Sequence, residues 1–160
     1  MVLTVSGRHG DTGLERGLKR GCVFCENILT HRAGYFVYEN EFLAIFLDHA
    51  PVELGHLLII PKVHFENIFD IDHEYYLKIC EAARRIAPVL LKATDADGLN
   101  ISQNNGACAN QRIMHYHLHM IPRFCSDRIS WERKEFSHDE MNGISTRIRE
   151  SIERKRPNEP

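Results

Sequence analysis

The most constraining feature of this 160-residue chain is the run Ile113–Ile121, ended by Pro122, within which apolar and polar residues alternate strictly from Met114 to Met120. Alternation of period two is the mark of a β-strand, whose successive side chains point to opposite faces. Read that way, His115, His117 and His119 share one face, while Tyr116, Leu118 and Met120 share the other. The apolar face can pack on a core. The histidines, about 6.8 Å apart along the strand, must look onto something polar. A fold for this chain has to bury one side of the strand and give the other a chemical task.

The surrounding segments suggest what the strand packs in. Tyr35–Tyr38 and Phe42–Leu47 are β-rich runs separated by Glu39-Asn40-Glu41, as in a hairpin, and Leu57–Ile60 reads as a buried strand closed by Pro61. From Asp72 to about Lys92, Tyr76, Ile79, Cys80, Ala83, Ile86, Ala87 and Leu90 recur at three- and four-residue spacing. That spacing predicts one long helix with Cys80 in its core face, which Pro88 should bend or interrupt. Leu99–Ser102 begins another strand, Gln103–Gln111 forms a small polar loop, and Asp139–Lys155 makes a final helix with Ile144, Ile148 and Ile152 on one side. Short-turn strands with segregated helices indicate an α+β fold with an antiparallel sheet of about five strands. Residues 1–21 are polar and glycine-rich, a loose extension. Residues 22–160 form a single domain, its core motifs in 22–123 and a C-terminal helical segment in 124–160.

Composition narrows the function. A net charge of −2 offers no broad basic field for a nucleic-acid polymer, although a nucleotide-sized ligand stays compatible. No apolar run approaches the ~20 residues of a membrane span, and the N-terminal residues lack the apolar stretch of a secretory signal. A soluble, cytoplasmic protein that makes no use of a membrane is expected. Of five cysteines only Cys22 and Cys25 form a CxxC, which points to a metal or redox pair rather than a disulfide framework.

Two chemistries suit histidines in this register. They could converge on a zinc ion that activates water. Alternatively, one imidazole could attack phosphorus while its neighbours hold phosphate oxygens. Spacing alone leaves both open.

The run from Asn104-Asn105-Gly106 through Gln111 to His115-x-His117-x-His119-Met120-Ile121-Pro122-Arg123 resembles the signature of the histidine triad superfamily. Cys22-Val23-Phe24-Cys25, Phe46-Leu47-Asp48 and Gly55-His56-Leu57-Leu58-Ile59-Ile60-Pro61-Lys62-x-His64 match further family blocks in order. The similarity covers roughly residues 22 to 123. It implies that His117 is the nucleophile of a covalent nucleotidyl-histidine intermediate, that His119 contacts the phosphate or bridging atom, and that His56 supports the site. It also implies that Asp48 binds ribose hydroxyls, Phe46 walls the nucleoside, Asn104 touches the phosphate chain or leaving group, and Gln111 binds substrate. A histidine at 119, where the family's nucleotidyltransferase branch has glutamine, implies hydrolysis as the outcome. The loop departs from the family at Ala109-Asn110-Gln111-Arg112, where Arg112 replaces a small hydroxyl residue.

Relatives with this CxxC bind zinc through it, through the histidine after Pro-Lys-x and through the first triad histidine. The resemblance therefore implies a closed, structural Zn2+ site at Cys22, Cys25, His64 and His115. It also implies a homodimer whose two sheets join. The expected activity is hydrolysis of nucleoside 5′-phosphoramidates or dinucleoside polyphosphates. Two rival readings are a zinc-dependent hydrolase with the triad as metal ligands, and a nucleotide-binding protein without catalysis.

Overall fold

In the computed structural model, which describes residues 17–154, the apolar runs that follow the cysteine pair become consecutive strands of one sheet. Strands β1 (Phe36–Glu39) and β2 (Leu43–Leu47) form the hairpin, with a bulge between Phe36 and Tyr38. Asn40 makes the turn by accepting the N–H groups of Phe42 and Leu43 on its side-chain oxygen. β3 (Leu57–Pro61) pairs with β2, β4 is Gly98–Ser102, and β5 is Leu118–Arg123. The five strands lie antiparallel in the order β1-β2-β3-β5-β4.

The two faces of the sheet carry separate cores. Leu43, Ile45, Leu47, Leu57, Ile59 and Met120 pack beneath helices α1 (His73–Thr94) and α2 (His138–Arg154). Ala44, Phe46, Leu58 and Ile60 face the other way, against Cys22, Phe24, Cys25, Ile28 and Leu29 of a short π-helical segment, Phe24–Thr30, and the residues before it. One lateral row, Phe36, Phe46, Leu58, His119 and Ser102, crosses all five strands by direct register. It places His119 on the face shared with Phe46.

Helix α1 starts where Asp72 accepts the Glu74 N–H on its carboxylate and ends at Asp95 in a left-handed conformation. It runs unbroken through Pro88, which lies on the exposed side where water can satisfy the carbonyl left without a donor. Cys80 is also exposed, because the buried stripe follows Ile79, Ala83, Ile86 and Leu90 and leaves the next position outside. On α2, Met141, Ile144 and Ile148 are buried, and Ile152 packs on the same core.

The histidine run departs from the expected strand at both ends. Regular β5 begins only at Leu118 and continues through Pro122 to Arg123. At its start, β3 stops offering a ladder after Ile59↔Leu118, so Tyr116 donates instead to the Phe65 carbonyl at 2.7 Å. At its end, the β3 ladder finishes at Met120, leaving Pro122 paired with β4 alone, where a missing donor is tolerated. The facing of the side chains is unchanged: Tyr116, Leu118 and Met120 pack on the helix-side core.

Of the glycine-rich beginning, Gly17–Gly21 run along the body. The Gly17 carbonyl accepts the His64 N–H at 2.6 Å, and Lys19 pairs with Glu66 at 2.8 Å. The expectation for Met1–Arg16 falls outside the described residues, as does Lys155 at the end of the last helix.

Candidate active site and metal centre

The three triad histidines occupy three different environments. His115 is fully buried beside the cysteine pair, its Nδ1 lying 3.5 Å from both Cys22 Sγ and Cys25 Sγ. Its Nε2 is 3.0 Å from the Pro61 carbonyl oxygen. A carbonyl can only accept, so Nε2 carries the proton and Nδ1 turns a lone pair toward the sulfurs. Burial holds the ring neutral, its pKa lowered to about 4.

His64 Nδ1 completes this cluster at 3.5 Å from Cys25 Sγ, and the four donors all lie within 4.8 Å of one another. The set fits zinc. Ligand bonds of about 2.3 Å to sulfur and 2.0 Å to nitrogen set S and N about 3.5 Å apart at a tetrahedral angle. The His115 bond to Pro61 is the outer contact that orients a ligating imidazole. Burial raises the Cys25 thiol to about 11, so the site suits a cation able to displace its proton.

His117 faces a different task. Its Nδ1 donates to the His115 carbonyl at 2.7 Å, which leaves Nε2 as the unprotonated nitrogen. Burial lowers its pKa, so the lone pair stays free at neutral pH. The Phe24 ring stands edge-on to both His115 and His117, at 5.7 and 5.5 Å between centroids, and again to Phe46 at 5.7 Å. Sequence reasoning assigned Phe24 no role. Its placement between Cys22 and Cys25 was the available signal, since anchoring the pair also anchors that ring.

His119 belongs to a second cluster. The Val52 N–H reaches His56 Nδ1 at 3.3 Å, and His56 Nε2 lies 2.9 Å from His119 Nδ1. If Nδ1 of His56 accepts, its Nε2 must donate, and His119 is left with its own proton on Nε2, ready to donate. Burial keeps both rings neutral, with His56 lowered to about 4 and His119 to about 3. Asp48 stands at the end of β2 with Oδ2 3.6 Å from His56 Nδ1, while its Oδ1 accepts the Ala50 N–H at 2.9 Å. The His117 and His119 rings are 4.9 Å apart.

The remaining expected residues lie on two sides of this centre. Phe46 is buried in the row that includes His119. Gln111 is turned inward: its Oε1 accepts the Gly106 N–H, and its Nε2 donates to the carbonyls of Glu66 and Ile113. Its amide holds the loop in shape. Asn104 spans the same loop by donating to the Asn110 carbonyl at 3.3 Å, and Asn110 takes the left-handed conformation, φ +64°, that the loop requires. Arg112 is exposed.

This division bears on the rival in which the triad binds one metal. Among the described residues, no group of three or more potential ligands contains two triad histidines. His115 joins the cysteines, His119 joins Asp48 and His56, and His117 joins neither.

Comparison with known proteins agrees with the geometry. The family model described as HIT domain matches residues 31–125. Adenosine 5′-monophosphoramidase HNT1 of Saccharomyces cerevisiae is 31% identical over 139 residues, covering 85% of each chain. Adenylylsulfatase HINT3 of Arabidopsis thaliana is 37% identical over 119 residues, 74% of this chain and 60% of that protein. A Zn-bound histidine triad family protein from Mycobacterium smegmatis superposes with a TM-score of 0.76 at 31% identity, covering 84% of this chain and 95% of that one. With the family model spanning more than half its length and its histidines divided as described, this chain belongs to the HIT family.

Proposed function

We propose that the protein is a nucleotide hydrolase that cleaves a nucleoside 5′-phosphate from an amine, a second nucleotide or a similar leaving group, through a nucleotidyl-histidine intermediate on His117. The observation that carries this reading is the 2.7 Å bond from His117 Nδ1 to the His115 carbonyl, which leaves a neutral Nε2 as nucleophile. Nε2 attacks phosphorus, a P–N bond forms and the bond to the leaving group breaks. Water then attacks the same phosphorus and the P–N bond breaks. Over the cycle water gives its hydroxyl to the phosphate and a proton to the leaving group, and His117 returns neutral. His119 Nε2–H donates to a phosphoryl oxygen or to the bridging atom, held in that role by His56. Asp48 takes the ribose hydroxyls, Phe46 walls the base, and Asn104 lies on the phosphate loop that Gln111 braces.

Two relatives support hydrolysis by their names, a phosphoramidase and an adenylylsulfatase. Cys22, Cys25, His64 and His115 would hold a structural zinc, which supplies cross-linking rather than reaction chemistry. The five free cysteines suit a reducing compartment such as the cytoplasm, and no helix among the described residues is long and apolar enough to cross a membrane. A homodimer through the β4 edge is supported by Ile101, which is 50% exposed on that strand.

The test is incubation with adenosine 5′-phosphoramidate and with diadenosine polyphosphates, followed by intact-mass measurement. Turnover with an adenylyl adduct that is absent from His117→Ala is the expected result. Absence of both turnover and adduct on every substrate would overturn the proposal, and unchanged behaviour of His117→Ala would favour a binding protein without catalysis.

A further inference from the structure

Beside the His56 end of the site lies a cavity of about 330 Å3, whose lining includes Val52, Glu53, Arg123, Arg128, Ser130 and Lys134. Val52 ties it to the reaction centre, because the Val52 N–H reaches His56 Nδ1 at 3.3 Å. Arg123 lies four residues after His119 on β5, hence on the same face and about 13 Å along the strand.

The charge of Arg123 is not neutralised. Its Nε donates to Asn100 Oδ1 at 2.7 Å and its Nη1 to the Ser130 carbonyl at 2.9 Å, both uncharged acceptors, while the Trp131 ring stands 4.9 Å from the guanidinium carbon. Its Nη2 is buried without a hydrogen-bond partner. Of the other lining cations, Lys134 is paired with Glu53, whereas exposed Arg128 has no carboxylate partner among the described residues. The lining also holds Asp127, so with Lys134 and Glu53 paired the two arginines face one carboxylate and the pocket keeps a net positive charge beside the proposed catalytic histidines. Its field reaches the centre, since Arg123 opposes protonation of His56.

We propose that this cavity receives an anionic group, a carboxylate or phosphate, carried at the far end of the leaving portion of the substrate. The inference rests on the hydrolase reading above and names the class of leaving group that reading leaves open. It makes Arg123 and Arg128 specificity residues. The distance requires an extended leaving group, so ammonia or another small amine would gain nothing from the pocket.

The test uses the full-length protein and three P–N-linked adenylates that differ only at the end of the leaving amine: 6-aminohexanoate, 6-aminohexyl phosphate and 6-aminohexanamide. The expected kcat/KM is about tenfold higher for one or both anionic compounds than for the amide, and which of the two gains more distinguishes carboxylate from phosphate. Arg128→Gln, on an exposed side chain that folding does not need, should bring the ratio down at least threefold, with amide turnover within about twofold of the parent. Arg123→Gln should bring it close to one, read as a ratio so that any general loss cancels. Equal rates on all three compounds, or an unchanged ratio in both variants, would overturn the pocket while leaving the hydrolase intact. No turnover and no adduct on any of them would instead sink the hydrolase reading, and this inference with it.

Discussion

The Nδ1 of His117 lies 2.7 Å from the carbonyl oxygen of His115, two residues earlier in the chain. This bond joins the metal-fitting cluster to the proposed reaction centre, because the residue that turns its side chain to the cysteines lends its backbone carbonyl to the proposed nucleophile. The same bond decides which imidazole nitrogen is free.

His117→Ala should therefore lower kcat by at least about 1,000-fold, the scale seen when a covalent nucleophile is removed. Adduct formation should disappear with it, while thermal stability changes little beyond the cavity left by the ring. Steady-state kinetics with intact-mass analysis checks this. A variant retaining a tenth of the parental rate would count against His117 as nucleophile.

The His56–His119 pair predicts a pH dependence of stability. Burial lowers His56 to about 4 and His119 to about 3, against about 6.5 in an unfolded chain. Asp48 opposes this on both rings, His117 reinforces it on both, and Arg123 and Arg133 reinforce it on His56. Between those values the unfolded chain binds more protons than the folded one, so stability rises with pH across the window. The contribution is complete above about 6.5 and is lost as pH falls toward 4 and then 3. Urea unfolding from pH 4 to 7.5 should show a steeper decline on acidification for the parent than for His56→Gln/His119→Gln. Parallel curves would contradict a neutral buried pair.

Much of this arrangement is legible in the residues, and the unread parts have physical reasons. Alternation identified the faces of the histidine run, because side-chain direction depends on the extended backbone and not on ladder pairing. It could not locate where pairing begins, since that depends on β3 ending its ladder at Ile59 and on the Phe65 carbonyl taking the Tyr116 N–H. The helical spacing located α1, yet it put Cys80 in the core because adjacent positions at the edge of an apolar stripe differ by only 100° of rotation. Gln111 was read as facing a ligand. Two of its three bonds are local, to Gly106 and Ile113, but the third goes to the carbonyl of Glu66, 45 residues away, which no local pattern reveals.

The cysteine–histidine cluster predicts one zinc per chain. Removal with a strong chelator should lower the melting temperature by about 10 °C, the shift expected if a few kcal/mol of cross-linking are lost from a domain of this size. Cys25→Ser should bind substoichiometric metal and melt at the same lowered temperature, with no further effect of chelator. Metal analysis and calorimetry together check this, and a chelator-insensitive parent containing no zinc would refute the assignment.

Gly55 predicts how closely the His56–His119 pair depends on a turn outside the triad. It adopts φ +88° immediately before His56, and a Cβ built there would stand 2.6 Å from Thr94 Cγ2 at the end of α1. Alanine would thus meet two costs at once, a backbone conformation unfavourable to side chains and an overlap that requires α1 or the turn to shift. Gly55→Ala should destabilise the protein by about 2–4 kcal/mol. Displacement of His56 would weaken its 2.9 Å contact with His119, so kcat should fall even at temperatures where the variant is fully folded. Activity measured well below the melting transition separates the two effects, and a Gly55→Ala variant with parental kcat and a lowered melting temperature would show that the turn serves stability alone.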